Sequence, residues 1–346
     1  MEKKLTERIR NQILQTLVRG EISIYQLIDR QDASLPEFFK IIQEMNKKGI
    51  VSIKKGKVSL AQKGTEICKQ INFAETSRLN CPHCEGTGYE ISGFFKDVFK
   101  EYKKIAKDRP EAVEEYDQGF ISVDGVIKRV EFIYERGDLL NSNIFVVGDD
   151  DLFSIAAALT KLPRRIFVVE RDERLVSFIN EKAKEYNLPI ETMNYDVQEK
   201  LPANLKGKFH IFVSDPVETL PGLKLFLSRG ICALKGKGCA GYFGITTLEA
   251  SREKWYKIER MIYKMGFLIT DLKRRFNLYP HENKNFLRFQ DKLPIVSKLG
   301  VKVENNWYTS TLFRIEAIKD PKPLIQGKKI IKKWVYKDKE SWATPY

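Results

Sequence analysis

The sequence has few of the features that mark exported or membrane proteins. Its apolar runs, such as 143–147 and 165–169, have the length of strands and not of membrane-spanning helices. The first residues, MEKKLTERIR, contain no apolar core of a signal peptide. Five cysteines are an odd count and do not suit a disulfide framework. We therefore expect a cytoplasmic protein with no membrane partner.

Metal-ligating residues are also scarce. Cys81 and Cys84 have the spacing of half a zinc ribbon, but a closed structural site needs four ligands and the sequence has no second Cys-x-x-Cys pair. Zinc held with the help of Cys68, His83 or a second subunit is the alternative. We predict an inert, reduced pair in a glycine-rich turn, and no metal site.

Residues 1–80 have the pattern of a winged helix. Apolar residues recur at helical spacing over 5–18, and a short helix fits 22–29. Ser34 and Glu37 form the signature of a capping box before a third helix. Two β-rich runs then flank a Lys-Lys-Gly-Lys turn, which is typical of a hairpin.

The role of this module is less constrained than its fold. Lysine and arginine outnumber the acids by 14, and Lys54, Lys55 and Lys57 in the hairpin could meet phosphates. The third helix, however, is acidic at its start, and packing explains its Phe38 and Phe39. We expect a dimerisation or scaffolding element, hence a homodimer without nucleic acid. A transcription regulator that senses a nucleoside or polyamine is the alternative.

Residues 138–320 alternate apolar strands with helices, and 307–318 read as a last, antiparallel strand. Continuous apolar strands between helices indicate a parallel sheet covered on both faces. The predicted fold class is α/β, a Rossmann-like, methyltransferase-type and mostly parallel sheet with an N-terminal winged-helix domain. A linker and helical segment, 81–137, joins the two domains. A lysine-rich flexible tail, 321–346, has little to pack it.

Ligands of an open parallel sheet bind at the carboxyl ends of its strands. The first strand ends in Gly148, followed by Asp149, Asp150 and Asp151, where a dinucleotide-binding protein would have further glycines near a pyrophosphate. Carboxylates repel phosphate and attract cations. The turn therefore favours a sulfonium or ammonium ligand over NAD or ATP, although one Asp would also serve as a helix cap.

The following strand ends supply further acids. Glu170 is placed to accept hydrogen bonds from ribose hydroxyls, and Asp196 from an adenine amino group, although each is also explained as a solvated turn residue. Asp215 precedes a proline that stiffens the loop leading to Glu218. An attacking amine must first lose a proton, and Asp215 is the first candidate to accept it.

Three segments resemble the branched-chain polyamine synthase family, the N4-aminopropyltransferases of heat-loving prokaryotes; they read VVGDDDLFSIAAALTKLPRRIFVVERDER, SDPVETLPGLKLFLSRGICALKG and CAGYFGIT. The resemblance implies transfer of aminopropyl groups from decarboxylated S-adenosylmethionine to the central secondary amine of spermidine, twice, with release of methylthioadenosine. The donor is then a co-substrate, and no prosthetic group is implied. Acids beside Gly148 favour this donor over S-adenosylmethionine, because the decarboxylated donor has no carboxylate for them to repel.

The resemblance and the positions at the strand ends together give the candidate site residues. The catalytic candidates are Asp215, Asp151 and Asp150, and which of them accepts the proton stays open. The candidates for substrate binding are Asp117, Asp149, Glu218 and Glu249. The candidates for donor binding are Gly148, Asp149, Glu170 and Asp196. Val217 replaces the usual second proline of the Asp215 loop, which lowers the expected rigidity of that loop. The enzyme-class alternative is an S-adenosylmethionine-dependent N-methyltransferase, which the missing glycines after Gly148 disfavour.

Overall fold

The computed structural model describes residues 2–71, 84, 87–282, 284–331 and 335–345. Cys81 and His83 lie outside these residues, so the expectation of an inert cysteine pair stays a prediction. No helix in the described part of the chain is long and apolar enough to cross a membrane.

The first 71 residues form helices and a small antiparallel sheet. The elements are α1 (Glu2–Leu17), β1 (Ile22–Ser23), α2 (Ile24–Asp29), α3 (Leu35–Lys47), β2 (Val51–Lys54), β3 (Lys57–Leu60) and α4 (Gln62–Ile71). The strand order is β1-β3-β2. The N–H of Ser34 donates to Glu37 Oε2 at 3.0 Å at the start of α3, so this half of the predicted capping box is present. The hairpin of β2 and β3 is also confirmed, whereas β1 and α4 were not predicted.

The N-terminal elements pack directly on the rest of the chain. At the start of α3 the N–H of Leu35 donates to the carbonyl of Leu248 at 2.7 Å. Arg275 pairs with Asp29 at 2.6 Å. Two further helices, α5 (Phe95–Ala106) and α6 (Val123–Glu135), follow, and they contact each other as their one-sided apolar patterns suggest.

A seven-stranded sheet occupies the remaining chain. Its strands are β4 (Asn143–Val147), β5 (Arg165–Glu170), β6 (Ile190–Asn194), β7 (Ile211–Ser214), β8 (Ala240–Ile245), β9 (Phe267–Leu278) and β10 (Thr309–Ala317). The order is β6-β5-β4-β7-β8-β10-β9. The pairs from β6 to β8 are parallel, and β10 is antiparallel to both neighbours. The predicted mostly parallel sheet with an antiparallel last strand is confirmed.

Helices cover both faces of this sheet. They are α7 (Phe153–Leu159), α8 (Glu173–Glu185), α9 (Leu220–Ala233) and α10 (Arg252–Lys264), and a shorter α11 (Pro294–Leu299) precedes β10. Ile144 and Val146 of β4 belong to one buried cluster, and Phe145 and Val147 to the other. This alternation is the period-two pattern of a strand that is buried on both sides.

The strand order contains a switch point beside β4. The chain passes from β4 to β5 and β6 on one side and then returns to β7 on the other side of β4. The carboxyl ends of β4 and β7 are therefore neighbours, and the helices that follow them diverge. Open α/β sheets bind their ligands in the crevice that forms at such a point.

Residues 335–345 differ from the expected loose tail. The hydroxyl of Thr219 donates to the carbonyl of Val335, whose side chain is buried. The N–H of Ser251 donates to Glu340 Oε2 at 2.6 Å. The expectation that the tail has little to pack it is wrong for this stretch. Backbone and polar contacts hold it together with single apolar contacts such as that of Trp342 with Phe39, and these leave no periodic apolar pattern in the sequence.

Candidate active site

A cavity opens at the carboxyl ends of β4 to β7, with aromatic rings between its polar groups. Among the described residues, its wall contains seven carboxylates and one arginine, Arg171. The carboxylates belong to Asp117, Asp150, Glu170, Asp196, Asp215, Glu218 and Glu249. The cavity is therefore negative although the whole chain is positive, and it attracts cationic ligands.

The turn after β4 begins at Gly148, whose φ of 74° lies in the left-handed region that glycine adopts without strain. The next N–H, that of Asp149, donates to Glu170 Oε2 at 2.8 Å. The carboxylate of Asp149 accepts the N–H of Ser154 at 3.3 Å and is buried. Asp149 thus caps the start of α7. The structure does not bring its carboxylate to the cavity wall, which argues against the predicted contacts of Asp149 with donor and acceptor.

Asp151 lies behind the cavity wall. Its Oδ1 accepts the N–H of Ile121 at 2.8 Å, and its Oδ2 accepts from Arg129 Nη1 at 2.8 Å. The residue is only 2% exposed. The expectation that Asp151 touches a substrate therefore disagrees with its position, because a buried guanidinium and a backbone amide already occupy its oxygens.

Asp150 is the acid of this turn that faces the cavity. Its Oδ2 accepts the N–H of Gly119 at 3.2 Å. Burial raises the pKa of Asp150 well above its ordinary value, and the charges of Asp151 and Asp215 raise it further. A bound cation would relieve both effects, so this carboxyl is suited to hold one.

Asp215 follows β7 on the opposite side of the switch point. Its Oδ2 accepts the hydroxyl of Tyr279 at 2.6 Å and lies 3.9 Å from Arg129 Nη2. Burial raises the pKa of Asp215 to about 7, against the lowering effect of the Arg129 guanidinium. A carboxylate with a near-neutral pKa, in reach of a ligand, is suited to accept a proton from an amine.

Three more acids form a second cluster in the cavity. Glu249 accepts the hydroxyl of Tyr308 at 2.9 Å and the N–H of Ala343 at 2.7 Å, and burial raises its pKa to about 7. Burial is the main cause that raises the pKa values of Glu218 and Asp117, and the charge of Glu249 is the second. The structure thus brings Asp117, Glu218 and Glu249 together, where they are placed to bind a second ammonium group.

Glu170 and Asp196 line the other end of the cavity. Glu170 Oε1 accepts the N–H groups of Arg171 and Asp172 at 2.7 and 2.8 Å, in addition to the Asp149 N–H on Oε2. The carboxylate of Asp196 pairs with the Arg171 guanidinium. Both acids border this end of the cavity, and their contacts with ribose and adenine stay predictions.

Four contributors were missed from the sequence. Arg129 occupies a core position of α6, and a charged residue among buried neighbours was the available signal. Tyr279 and Tyr308 carried no mark that separates them from ordinary core aromatics. Ala343 acts through its backbone N–H, so its residue type held no information about the contact.

Sheet order and site together define the class of protein: a Rossmann-like, methyltransferase-type α/β fold with a negatively charged cavity at its switch point. The sequence profile of the family described as branched-chain polyamine synthase A C-terminal domain matches residues 97–343. The chain belongs to the branched-chain polyamine synthase family.

Relatives and solved structures agree with this assignment. The N(4)-bis(aminopropyl)spermidine synthase of Thermococcus kodakarensis is 35% identical over 94% of this chain and 92% of its own. The protein of the same name from Methanocaldococcus jannaschii is 39% identical over 86% of this chain and 84% of its own. The branched-chain polyamine synthase of Thermus thermophilus, solved with N4-aminopropylspermidine and 5'-methylthioadenosine, gives a TM-score of 0.83 at 30% identity over 97% of each chain.

Proposed function

We propose that this protein is an aminopropyltransferase that uses decarboxylated S-adenosylmethionine and spermidine and has no prosthetic group. It makes N4-aminopropylspermidine and then N4-bis(aminopropyl)spermidine, with methylthioadenosine as the by-product. The observation that carries the proposal is the group of carboxylates around Asp215 at the switch point. The donor presents a sulfonium and an ammonium, and the acceptor presents only amines, so negative side chains suit every polar group outside the nucleoside. The names of the relatives support the same activity.

The transfer replaces a C–S bond of the donor with a C–N bond of the acceptor. The central amine of spermidine is mostly protonated at neutral pH, and Asp215 takes that proton. The freed lone pair attacks the aminopropyl carbon bonded to sulfur, and the C–S bond breaks with its electrons left on sulfur. Methylthioadenosine leaves as a neutral thioether, and the nitrogen becomes a tertiary ammonium. Asp215 gives its proton to water and then accepts the proton of the tertiary ammonium. The freed lone pair attacks a second donor in the same way, a second methylthioadenosine leaves, and the nitrogen becomes a quaternary ammonium.

The other acids of the cavity bind the two substrates. Asp150, on the Gly148 turn, is placed to hold the cationic part of the donor, with Glu170 and Asp196 towards its nucleoside. A donor that kept its carboxylate would place a negative charge among these acids, which disfavours S-adenosylmethionine. The cluster of Asp117, Glu218 and Glu249 is placed to hold the terminal ammonium groups of the acceptor.

We assign the domains as winged helix over 1–80, linker and helical segment over 81–137, and transferase over 138–320. The helices α1 to α3 and the hairpin of β2 and β3 support the first assignment. The apolar face of α3 is buried, Phe38 completely, which supports a packing role for these residues. We propose that the protein is a cytoplasmic homodimer.

Mass spectrometry of the products tests the activity. The protein is incubated with spermidine and, in separate reactions, with decarboxylated S-adenosylmethionine or S-adenosylmethionine. The proposal expects one and then two added aminopropyl groups, together with methylthioadenosine, in the first reaction only. Methylated spermidine in the second reaction would show a methyltransferase, and no product in either would reject the proposal.

A further inference from the structure

Arg129 is a deeply buried charged group behind the cavity wall. It lies in α6, is 1% exposed, and does not belong to the cavity wall. Its Nη1 donates to Asp151 Oδ2 at 2.8 Å, and its Nη2 lies 3.9 Å from Asp215 Oδ2. Within the described residues, Nε and Nη2 of this guanidinium have no hydrogen-bond partner.

A buried guanidinium with unused donors is costly for a folded protein, because each unsatisfied donor has lost its hydrogen bonds to water. Packing alone would be served as well by an apolar side chain of similar size. Asp151 cannot be the whole reason either, because it engages only Nη1. Of the two unused donors, Nη2 lies 3.9 Å from Oδ2 of Asp215, the residue that we propose as the proton acceptor.

The position of the Arg129 guanidinium is fixed by its contact with Asp151. Asp151 is itself held by the N–H of Ile121 at 2.8 Å, so the guanidinium is anchored to the turn that follows β4. Asp215 extends from the end of β7, the neighbouring strand. The bridge of Asp151, Arg129 and Asp215 therefore connects the two strand ends between which the ligands must lie.

We propose that Arg129 is a positioning residue for proton transfer: anchored on Asp151 through Nη1, it attracts Asp215 through Nη2 and so keeps that carboxylate ionised and directed at the acceptor nitrogen. This inference rests on the proposed function. Arg129 does not touch substrate, and it acts only through Asp215.

The charges that face Asp215 set the direction of the expected effect. They come from several elements and belong to Arg129, Asp150, Asp151 and Glu218, and the neutral hydroxyl of Tyr279 donates a hydrogen bond to Asp215. Arg129 is the positive member of this set and lowers the pKa of Asp215, whereas burial and the other acids raise the pKa values in the group. Without Arg129 the Asp215 carboxyl would keep its proton to a higher pH, so its ionised form, the base, would appear only at that higher pH.

The test compares Arg129→Gln and Arg129→Lys with wild type in pH profiles of kcat and kcat/KM for spermidine. For R129Q we expect the acidic limb of kcat/KM to move up by about one pH unit or more, the usual effect of an opposite charge. For R129K we expect a limb close to wild type but a kcat lower by about tenfold, because one ammonium cannot bridge both carboxylates. The matched control is Arg314→Gln, which removes another buried arginine that pairs with Asp138 at 2.9 Å and lies outside the cavity wall.

A wild-type acidic limb in folded R129Q would overturn the inference, as would the same shift in R314Q. If R129Q does not fold, R129K decides, and a kcat equal to wild type in that variant also overturns the inference. Failure of the proposed function is a separate result, because it would appear in the wild-type protein as the absence of aminopropylated product.

Discussion

Asp149, Asp150 and Asp151 are adjacent, yet their carboxylates do three different things. Asp149 caps α7 through the N–H of Ser154, Asp151 anchors Arg129, and Asp150 faces the cavity. Only one of the three charges is therefore available to a ligand directly. The other two set the geometry and the electrostatics in which that ligand is bound.

Replacement of Asp215 tests the proton acceptor. We expect Asp215→Asn to lower kcat by about 100-fold or more, the usual size of a general-base contribution. In wild type, kcat/KM should rise with pH through about 7 as the Asp215 carboxylate forms, and the variant should lack this limb. Steady-state kinetics from pH 5 to 9 measure both. Asp97→Asn, at an exposed acid of α5, is the control and should leave the profile unchanged. A variant at Asp215 with wild-type turnover would remove this residue from the mechanism.

The same substitution should change stability in a pH-dependent way. The pKa of Asp215 is about 7 in the folded protein, whereas an unfolded aspartate has a value of about 3.9. Because the folded state then holds the proton more tightly, this group lowers stability as pH rises from about 4 to about 7. Without ligand, Asp215→Asn should therefore be more stable than wild type at pH 8, by up to about 4 kcal/mol, at about 1.36 kcal/mol for each of about three pKa units. The two proteins should converge near pH 4. Urea unfolding at the two pH values measures this, and a difference that does not vary with pH would contradict the raised pKa.

Among the elements, β8 leaves room for the Asp215 carboxylate because Gly244 has no side chain. A Cβ atom added at Gly244 would come within 2.3 Å of Asp215 Oδ1 and 3.0 Å of Ser310 Oγ. Any other residue here must displace the carboxylate, since the backbone of a central strand cannot move freely. The strand therefore determines where Asp215 points.

We expect Gly244→Ala to lower kcat by roughly 10- to 100-fold, because small displacements of a catalytic group are enough to disturb its geometry. The matched control is Gly327→Ala, where an added Cβ meets no atom within 4 Å. Kinetics with spermidine at pH 8 measure the effect, and circular dichroism checks the fold. Equal activity of the two variants would show that the carboxylate tolerates a shift.

The elements also show what the sequence could and could not predict. The alternation of strands and helices, the antiparallel last strand and the ends of β4 and β7 follow from apolar periodicity, which is a local signal. The capping contact of Asp149 and the bridge through Arg129 depend on distances between residues far apart in the chain. The packing of residues 335–345 depends on backbone amides such as that of Ala343, which any residue type except proline would supply.

At the scale of the molecule, the N-terminal elements and the sheet share one hydrophobic core. A single buried cluster includes Phe38 of α3 as well as Ile144 of β4. The sequence boundary near residue 80 is therefore not a break in packing.

A shared core predicts joint unfolding. Calorimetry of the ligand-free protein should give one cooperative transition for the N-terminal elements and the sheet, since separating them would expose a common buried surface. Tryptophan fluorescence, which includes the buried Trp307 and Trp255, should follow the same transition. Two resolved transitions would instead show that the N-terminal elements fold as an independent unit.

A crystal structure with spermidine and methylthioadenosine bound would test the proposed mechanism most directly. We predict that the central nitrogen of spermidine lies within hydrogen-bond distance of the Asp215 carboxylate. We also expect the thioether of methylthioadenosine on the Asp150 side and the terminal amines near Glu218 and Glu249. A central nitrogen held away from Asp215, with another group in contact with it, would contradict the assignment of Asp215 as the proton acceptor.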